Sequence, residues 1–354
     1  SGFDVGNTTI GFDDYNYNLL AANLTGPLIR IKDKSDPEGK KKRSIVGYFL
    51  AAELRYQKDR DPSAIGMWKV KDDALDNLRA NPVRRNPIGG TDLAAEFISG
   101  SQMELVDAKQ NTPFQGIVAN ANFDFVTTPN ITLKLGGSID HNVRNEFSFN
   151  NSLFNYDNNI QDVNSTWRVF GRYTQRFNKK DIDPDNPPAI MNALYSIQVD
   201  YSNYTRTRQD ESHKDDLFNY GYVGKFVTYR EPTYQLGFDD SLNLFGWLQG
   251  PYNDTLIEFT GSDINPNLSA YTEQYYGLFP DAEGNYENLT QIEADRGALR
   301  NGDAPDNVYG LWRGSGYQAN EYSKFDQTQF RIAANGSVDI KNHSISLGFE
   351  YEQR

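Results

Sequence analysis

The stretch ITLKLGGSIDH, residues 131–141, decides how this chain is read. Ile131, Leu133, Leu135 and Ile139 share one phase of a two-residue period, and Thr132, Lys134, Ser138 and Asp140 share the other. That alternation is the pattern of a half-buried strand. A soluble sandwich turns such an apolar face inward against a second sheet, whereas an outer-membrane barrel turns it outward into lipid around a wet interior. The fold class therefore rests on which way Leu133 looks.

Seven further segments carry the same alternation: 15–26, 44–58, 114–127, 166–178, 193–208, 327–340 and 343–352. Runs of about ten to sixteen residues exceed the usual five or six of soluble strands, and a tilted membrane strand needs about nine to eleven. In TWRVFGRYTQRFN, Trp167, Val169, Tyr173 and Phe177 share one face, while Arg168, Arg172, Thr174 and Arg176 share the other. Three arginines on one strand face suit a hydrated interior. The same split recurs in 327–340, with Phe330, Ile332 and Val338 opposite Arg331, Asn335 and Asp339, and in 343–352, with Ile345, Leu347 and Phe349 opposite Glu350. Aromatics make up 13% of the 354 residues, yet mean hydropathy is -0.69 and no apolar run is long enough for a spanning helix.

The links between segments alternate in length. Short polar links follow 15–26, 114–127, 166–178 and 327–340, and the long connections 59–113, 142–165 and 209–326 lie between them. Membrane barrels alternate in this way, with short periplasmic turns and long extracellular loops, and a sandwich gives no reason for it. The expected fold is thus all-β, a transmembrane antiparallel β-barrel of which this chain supplies about eight strands, with 59–113 and 209–326 as large extracellular loops. Within the first of these, Val70, Ala74, Leu75 and Leu78 fall at near-helical spacing ahead of Pro82, so a helix is expected there.

Charge and composition exclude several functions. A net charge of -13 argues against nucleic acid, since phosphate binding needs a positive footprint. Cysteine is absent, which removes disulfides, thiolate metal sites and a cysteine nucleophile. The histidines at 141, 213 and 343 show no metal or catalytic spacing, and the glycine-rich pieces at 88–90 and 313–317 lack a phosphate loop's lysine and context. The acidic pieces at 156–159 and 238–241 do not match the EF-hand pattern and read as solvated loop. No enzyme activity and no cofactor are expected.

Several segments carry a family resemblance. SGFDVGNTTIGFDDYNYNLLAANLTGPL, VGYFLAAELRYQKDRDPSAIGMWKVKDDALDNLRANPVR, TWRVFGRYTQRF and ISLGFEYEQR resemble the barrel of TonB-dependent outer-membrane receptors of the Bacteroidetes type. The resemblance implies a plug domain ahead of a barrel of about twenty-two strands, of which these would be strands two to nine, and import driven through TonB. It places the chain in the bacterial outer membrane as the N-terminal part of that barrel, with plug and later strands outside it, and with lipid, TonB and a surface lipoprotein lid as partners.

Two residue sets follow as candidates. On the lumen side, Arg168, Arg172, Arg176 and Arg331 are expected to pair with Asp140, Asp200, Asp339 and Glu350, or with plug residues, because an unpaired charge away from water is costly. In the loop 209–326, Trp247, Tyr252, Trp312 and Tyr317 are the candidates for touching a ligand, small or oligomeric, or the lid, since such rings give rigid amphipathic contact surfaces. The ligand could be a glycan, a peptide or a chelate. Two other functions stay open at this stage: a structural or assembly component using the receptor barrel as scaffold, and a soluble all-β glycan-binding protein.

Overall fold

The computed structural model describes residues 2–5, 8–11, 16–32, 42–177, 190–279 and 297–354. Its main body is one antiparallel sheet of eight strands: β1 (Asn18–Lys32), β2 (Lys42–Gln57), β3 (Phe114–Thr128), β4 (Ile131–Asn145), β5 (Gln161–Phe177), β6 (Ile190–Gln209), and, after a long insertion, β9 (Ser323–Ile340) and β10 (His343–Gln353). The insertion contains the separate hairpin β7 (Gly224–Asp239) and β8 (Leu244–Gly261). Each sheet strand pairs with its neighbour in sequence, β6 pairs directly with β9, and the sheet is open, with β1 and β10 at its edges. A short hairpin of Gly2–Val5 and Thr8–Gly11 precedes it.

All eight expected segments are strands. Several run longer than their alternation suggested: β1 continues to Lys32, β6 spans Ile190–Gln209 and β9 begins at Ser323, while β4 continues to Asn145 and β5 begins at Gln161, so the connection between these last two shrinks to 146–160. The links 33–41 and 178–189, expected as short turns, lie outside the described residues. Links 129–130 and 341–342 are two residues each and close hairpins at one end of the sheet, while 58–113, 146–160 and 210–322 leave from the other.

Register turns the alternation of each strand into two coherent faces. One row across the sheet reads Val46, Phe125, Leu133, Tyr173, Ile197, Ala334 and Phe349. The adjacent row reads Asp124, Lys134, Arg172, Gln198, Ala333 and Glu350. A one-residue slip anywhere would have mixed them, because side-chain period and register share the value two. Leu133 therefore lies on a continuous apolar face. That face is exposed: Leu24 is 63% and Leu347 77% accessible, and Val169, Val199 and Phe349 are exposed as well. No second sheet or helix covers it among the described residues.

The packed core lies elsewhere. Val70, Leu75, Leu78 and Val83 from 58–113, Leu153 and Phe154 from 146–160, and Val223, Leu268, Tyr271, Leu299 and Val308 from 210–322 bury one another. The three long connections thus fold together into a cap at one end of the sheet. Helix α1 (Asp72–Ala80) forms where the spacing of Val70, Ala74, Leu75 and Leu78 placed it, with Asp72 and Asp73 in its first turn and Arg79 in its last, charges that suit the helix dipole. Helix α2 (Pro266–Leu278) begins with proline at its first turn and buries Leu268, Tyr271, Thr272 and Tyr275, one stripe at helical spacing. No helix among the described residues is long and apolar enough to cross a membrane.

Candidate functional site

The polar face of the sheet gathers the charged residues. Register and alternation put Asp140, Arg168, Arg172, Arg176, Asp200, Arg331, Asp339 and Glu350 all on the face opposite Leu133. Arg168 Nε donates to Asp200 Oδ1 at 2.8 Å, with a second contact from Nη2. Arg331 holds Glu350 with two parallel bonds of 2.7 and 2.9 Å, the geometry that makes arginine–carboxylate pairs specific. Arg172 departs from the expected ion pairing. Its direct cross-strand neighbours are Lys134 and Gln198, so Nε donates to Gln198 Oε1 at 2.6 Å instead of to a carboxylate. Gln198 in turn donates to both carboxylate oxygens of Asp200 at 2.9 and 2.8 Å, which joins Arg172 and Arg168 through one amide and one buried acid. Asp339 accepts from Asn192 at 2.8 Å and Asp140 from Asn142 at 3.4 Å, and Arg176 makes no ion pair among the described residues. Four of the eight pair as charges, and amides serve three of the others.

The strongest charge cluster on this face escaped the sequence reading. Asp162 is fully buried at the cap end of β5 and accepts from Arg206 at 2.9 to 3.1 Å and from Arg144 at 3.4 Å, with Arg208 at 3.7 Å. Arg144 and Arg208 also hold Glu146 at 2.7 Å and Glu321 at 2.9 Å. Arg206 and Arg208 stood two apart in a recognised strand, which was the available signal. Asp162 lies within the expected connection 142–165, where no alternation marks its side of the pairing.

The cap is cross-linked by polar side chains. Gln274 on α2 accepts the Val83 N–H at 2.8 Å, and the Asn155 amide donates to Tyr317 O at 2.8 Å. His213, which has no metal or catalytic spacing in the sequence, is buried with Nε2 2.6 Å from Asn265 Oδ1. Asn265 donates onward to Asn219 O and Tyr222 O at 2.7 and 2.9 Å. The Tyr271 hydroxyl donates to Ser315 O at 3.2 Å, and burial pushes its pKa well above the usual phenol range.

The four aromatic candidates separate into two pairs. Trp247 and Tyr252 sit on β8 of the projecting hairpin, 69% and 58% exposed. Trp312 instead packs partly buried against the cap core beside Phe149, ring centroids 6.3 Å apart, and Tyr317 lies under the Arg313 guanidinium at 4.2 Å. The hairpin itself was missed, although its turn was present in the sequence as 238–243. There Asp239 accepts the N–H groups of Ser241 and Leu242 at 2.9 and 3.1 Å, and Asn243 takes the left-handed conformation that asparagine tolerates. Pro232 and the shifts of register near it interrupt the alternation that would have revealed β7.

Comparison with protein-family models and with curated proteins finds no match for this chain.

Proposed function

We propose that this chain is the N-terminal part of a TonB-dependent outer-membrane receptor barrel, which takes up a ligand such as a glycan, peptide or chelate across the bacterial outer membrane. The observation that carries the reading is the exposed apolar face: a continuous band across the sheet that nothing covers among the described residues, beside a polar face rich in paired charge. Soluble proteins bury such a band, and lipid is the solvent that rewards leaving it bare. From Trp167 to Phe177 on β5 the band runs about 33 Å along the strand, and a tilt near 40° reduces that to about 25 Å, the height of a barrel's apolar girdle. Tyr173, Phe177 and Tyr195 cluster toward one end, Trp167 and Tyr201 toward the other, as interfacial aromatics would.

In this reading the paired charges line a wet lumen, the cap stands outside the cell at the mouth, and energy enters through TonB from a plug. Outer-membrane lipid surrounds the sheet, and the hairpin bearing Trp247 and Tyr252 is free to meet a ligand or a surface lipoprotein lid. Because the sequence has no cysteine, single cysteines report cleanly on orientation. In native outer membranes, Val169→Cys should react with a membrane-dissolved maleimide and Thr166→Cys with a water-soluble one. The reversed pattern would falsify the barrel. Loss of ligand uptake on collapsing the proton-motive force would then test the TonB dependence.

A further inference from the structure

The apolar face is hollowed at its cap end. Across β1 to β4 it holds a groove of about 610 Å³, in the size range of small-molecule sites, lined by Leu20, Leu54, Ile117 and His141. Register places these four abreast in one row. The next row toward mid-sheet begins Ala22, Ala52 and Ala119, the one after it brings Ala121 and Gly137, and these line a second hollow of about 480 Å³. Because successive rows on one face are two residues apart along each strand, the second hollow continues the first. Polar side chains of this face gather at the cap end. Tyr56 stands directly opposite Gln115, and His141, opposite Ile117, is the diagonal neighbour of Gln115. Diagonal neighbours lie about 7 to 8 Å apart, within reach of long and aromatic side chains. Each of the three carries an N–H or O–H donor, and among the described residues none of their side chains makes a hydrogen bond. Asn18, across from Tyr56, is already bound to Asn16. His141 lies two residues to the cap side of Ile139, the partner of Trp167, which is the level of the outer interface in the reading above.

We propose that this groove seats one ester-linked membrane lipid, whose acyl carbonyls accept from Tyr56, Gln115 and His141 and whose chain lies over Leu54 and Ile117 into the alanine-lined hollow. An ionisable ring facing hydrocarbon demands a partner, and ester carbonyls are the first acceptors met where the hydrocarbon ends. The occupant is a lipid because the groove is continuous with the apolar band and its polarity runs as an outer-leaflet lipid does, head toward the cap and chain toward mid-sheet. The inference deepens the membrane reading above and rests on it.

The test is native mass spectrometry of the full chain, delipidated in detergent micelles and titrated with an ester-linked phosphatidylglycerol and with its ether-linked counterpart of equal chain length. One ester lipid should bind per chain, about ten-fold or more tighter than the ether lipid, which lacks the carbonyl acceptors. The double variant Gln115→Leu, His141→Leu should erase that preference. Ala119→Phe, which fills the hollow, should abolish binding of both lipids, while Val199→Phe, on the same face three strands away, should bind as the parent does and so reports any general damage. Equal affinity for the two linkages, no lipid retained, a preference that survives the double variant, or an Ala119→Phe chain that still holds an ester lipid would each overturn the proposal. If cysteine labelling places Val169 in lipid and the groove retains nothing, this inference alone fails; a reversed labelling pattern removes the membrane reading with it.

Discussion

Arg168 and Asp200 meet on a diagonal. In the β5–β6 register Arg168 stands opposite Ser202 and Asp200 opposite Phe170, yet Arg168 Nε reaches Asp200 Oδ1 at 2.8 Å. Asp200 is almost fully buried, and Gln198 occupies its remaining acceptor capacity while holding Arg172. Replacing Asp200 by alanine is expected to cost about 1 to 3 kcal/mol by stranding donors that now share it, with the lower half favoured because Arg168 is 42% exposed. Urea unfolding in micelles of Arg168→Ala, Asp200→Ala and the double variant should give a coupling of at least 0.5 kcal/mol, of the order seen for residues in contact. Strict additivity would show that the pair is only geometric.

Leu135 pairs with Gly171 near the middle of the apolar face and is exposed. In a bilayer, Leu135→Arg is expected to cost about 2 to 4 kcal/mol of folding stability, the penalty for a cation at mid-depth. Thr166→Arg, on the polar face of the neighbouring strand, is expected to stay within about 0.5 kcal/mol. Reversible folding into lipid vesicles reads both, and equal costs would mean that the two faces meet the same solvent.

The buried core clusters belong to the cap and not to the eight-stranded sheet, so the cap should be breakable by itself. Leu75 is 1% exposed in the cap core, and Leu75→Ala is expected to destabilise the cap by about 2 to 5 kcal/mol. Hydrogen exchange should then accelerate across α1 and α2 while β4, β5 and β6 keep their protection. Uniform acceleration would show one cooperative unit.

Tyr271 makes the cap sensitive to alkali. Its folded pKa is raised by burial, so the folded state keeps a proton that the unfolded state releases above about pH 10. The unfolded chain then binds fewer protons, and stability, fully present below about pH 10, falls by about 1.4 kcal/mol per pH unit as the pH rises toward the folded pKa. Thermal melts of the cap followed by near-ultraviolet circular dichroism should show this loss, and Tyr271→Phe should flatten it at the expense of about 1 kcal/mol from the bond to Ser315.

The two aromatic pairs should behave differently under substitution. Trp247→Ala is expected to leave Tm almost unchanged, because the ring is 69% exposed, while lowering ligand or lid affinity. Trp312→Ala removes a ring packed on the cap core and is expected to cost about 3 kcal/mol. A fall in Tm for Trp247→Ala would mean that the hairpin packs on something in the native membrane.

The sequence by itself determined the eight strands, the split of Leu133 from Lys134 and of Val169 from Arg168, and α1 from the spacing of Val70, Leu75 and Leu78. These are local facts: a two-residue or a near-four-residue period is written in consecutive side chains and needs no distant partner. Tertiary structure alone decided that Arg172 would meet Gln198 instead of a carboxylate, since that depends on which strand arrives beside it and in what register. It also decided that Asp162 would collect Arg144, Arg206 and Arg208. The cap was similarly hidden. Its core unites side chains more than two hundred residues apart, and α2 buries Tyr271, Thr272 and Tyr275 beside a single leucine, so hydroxyl-bearing residues mask the apolar stripe. Periodicity names the face a residue occupies, but only the packing of distant segments determines what that face will touch.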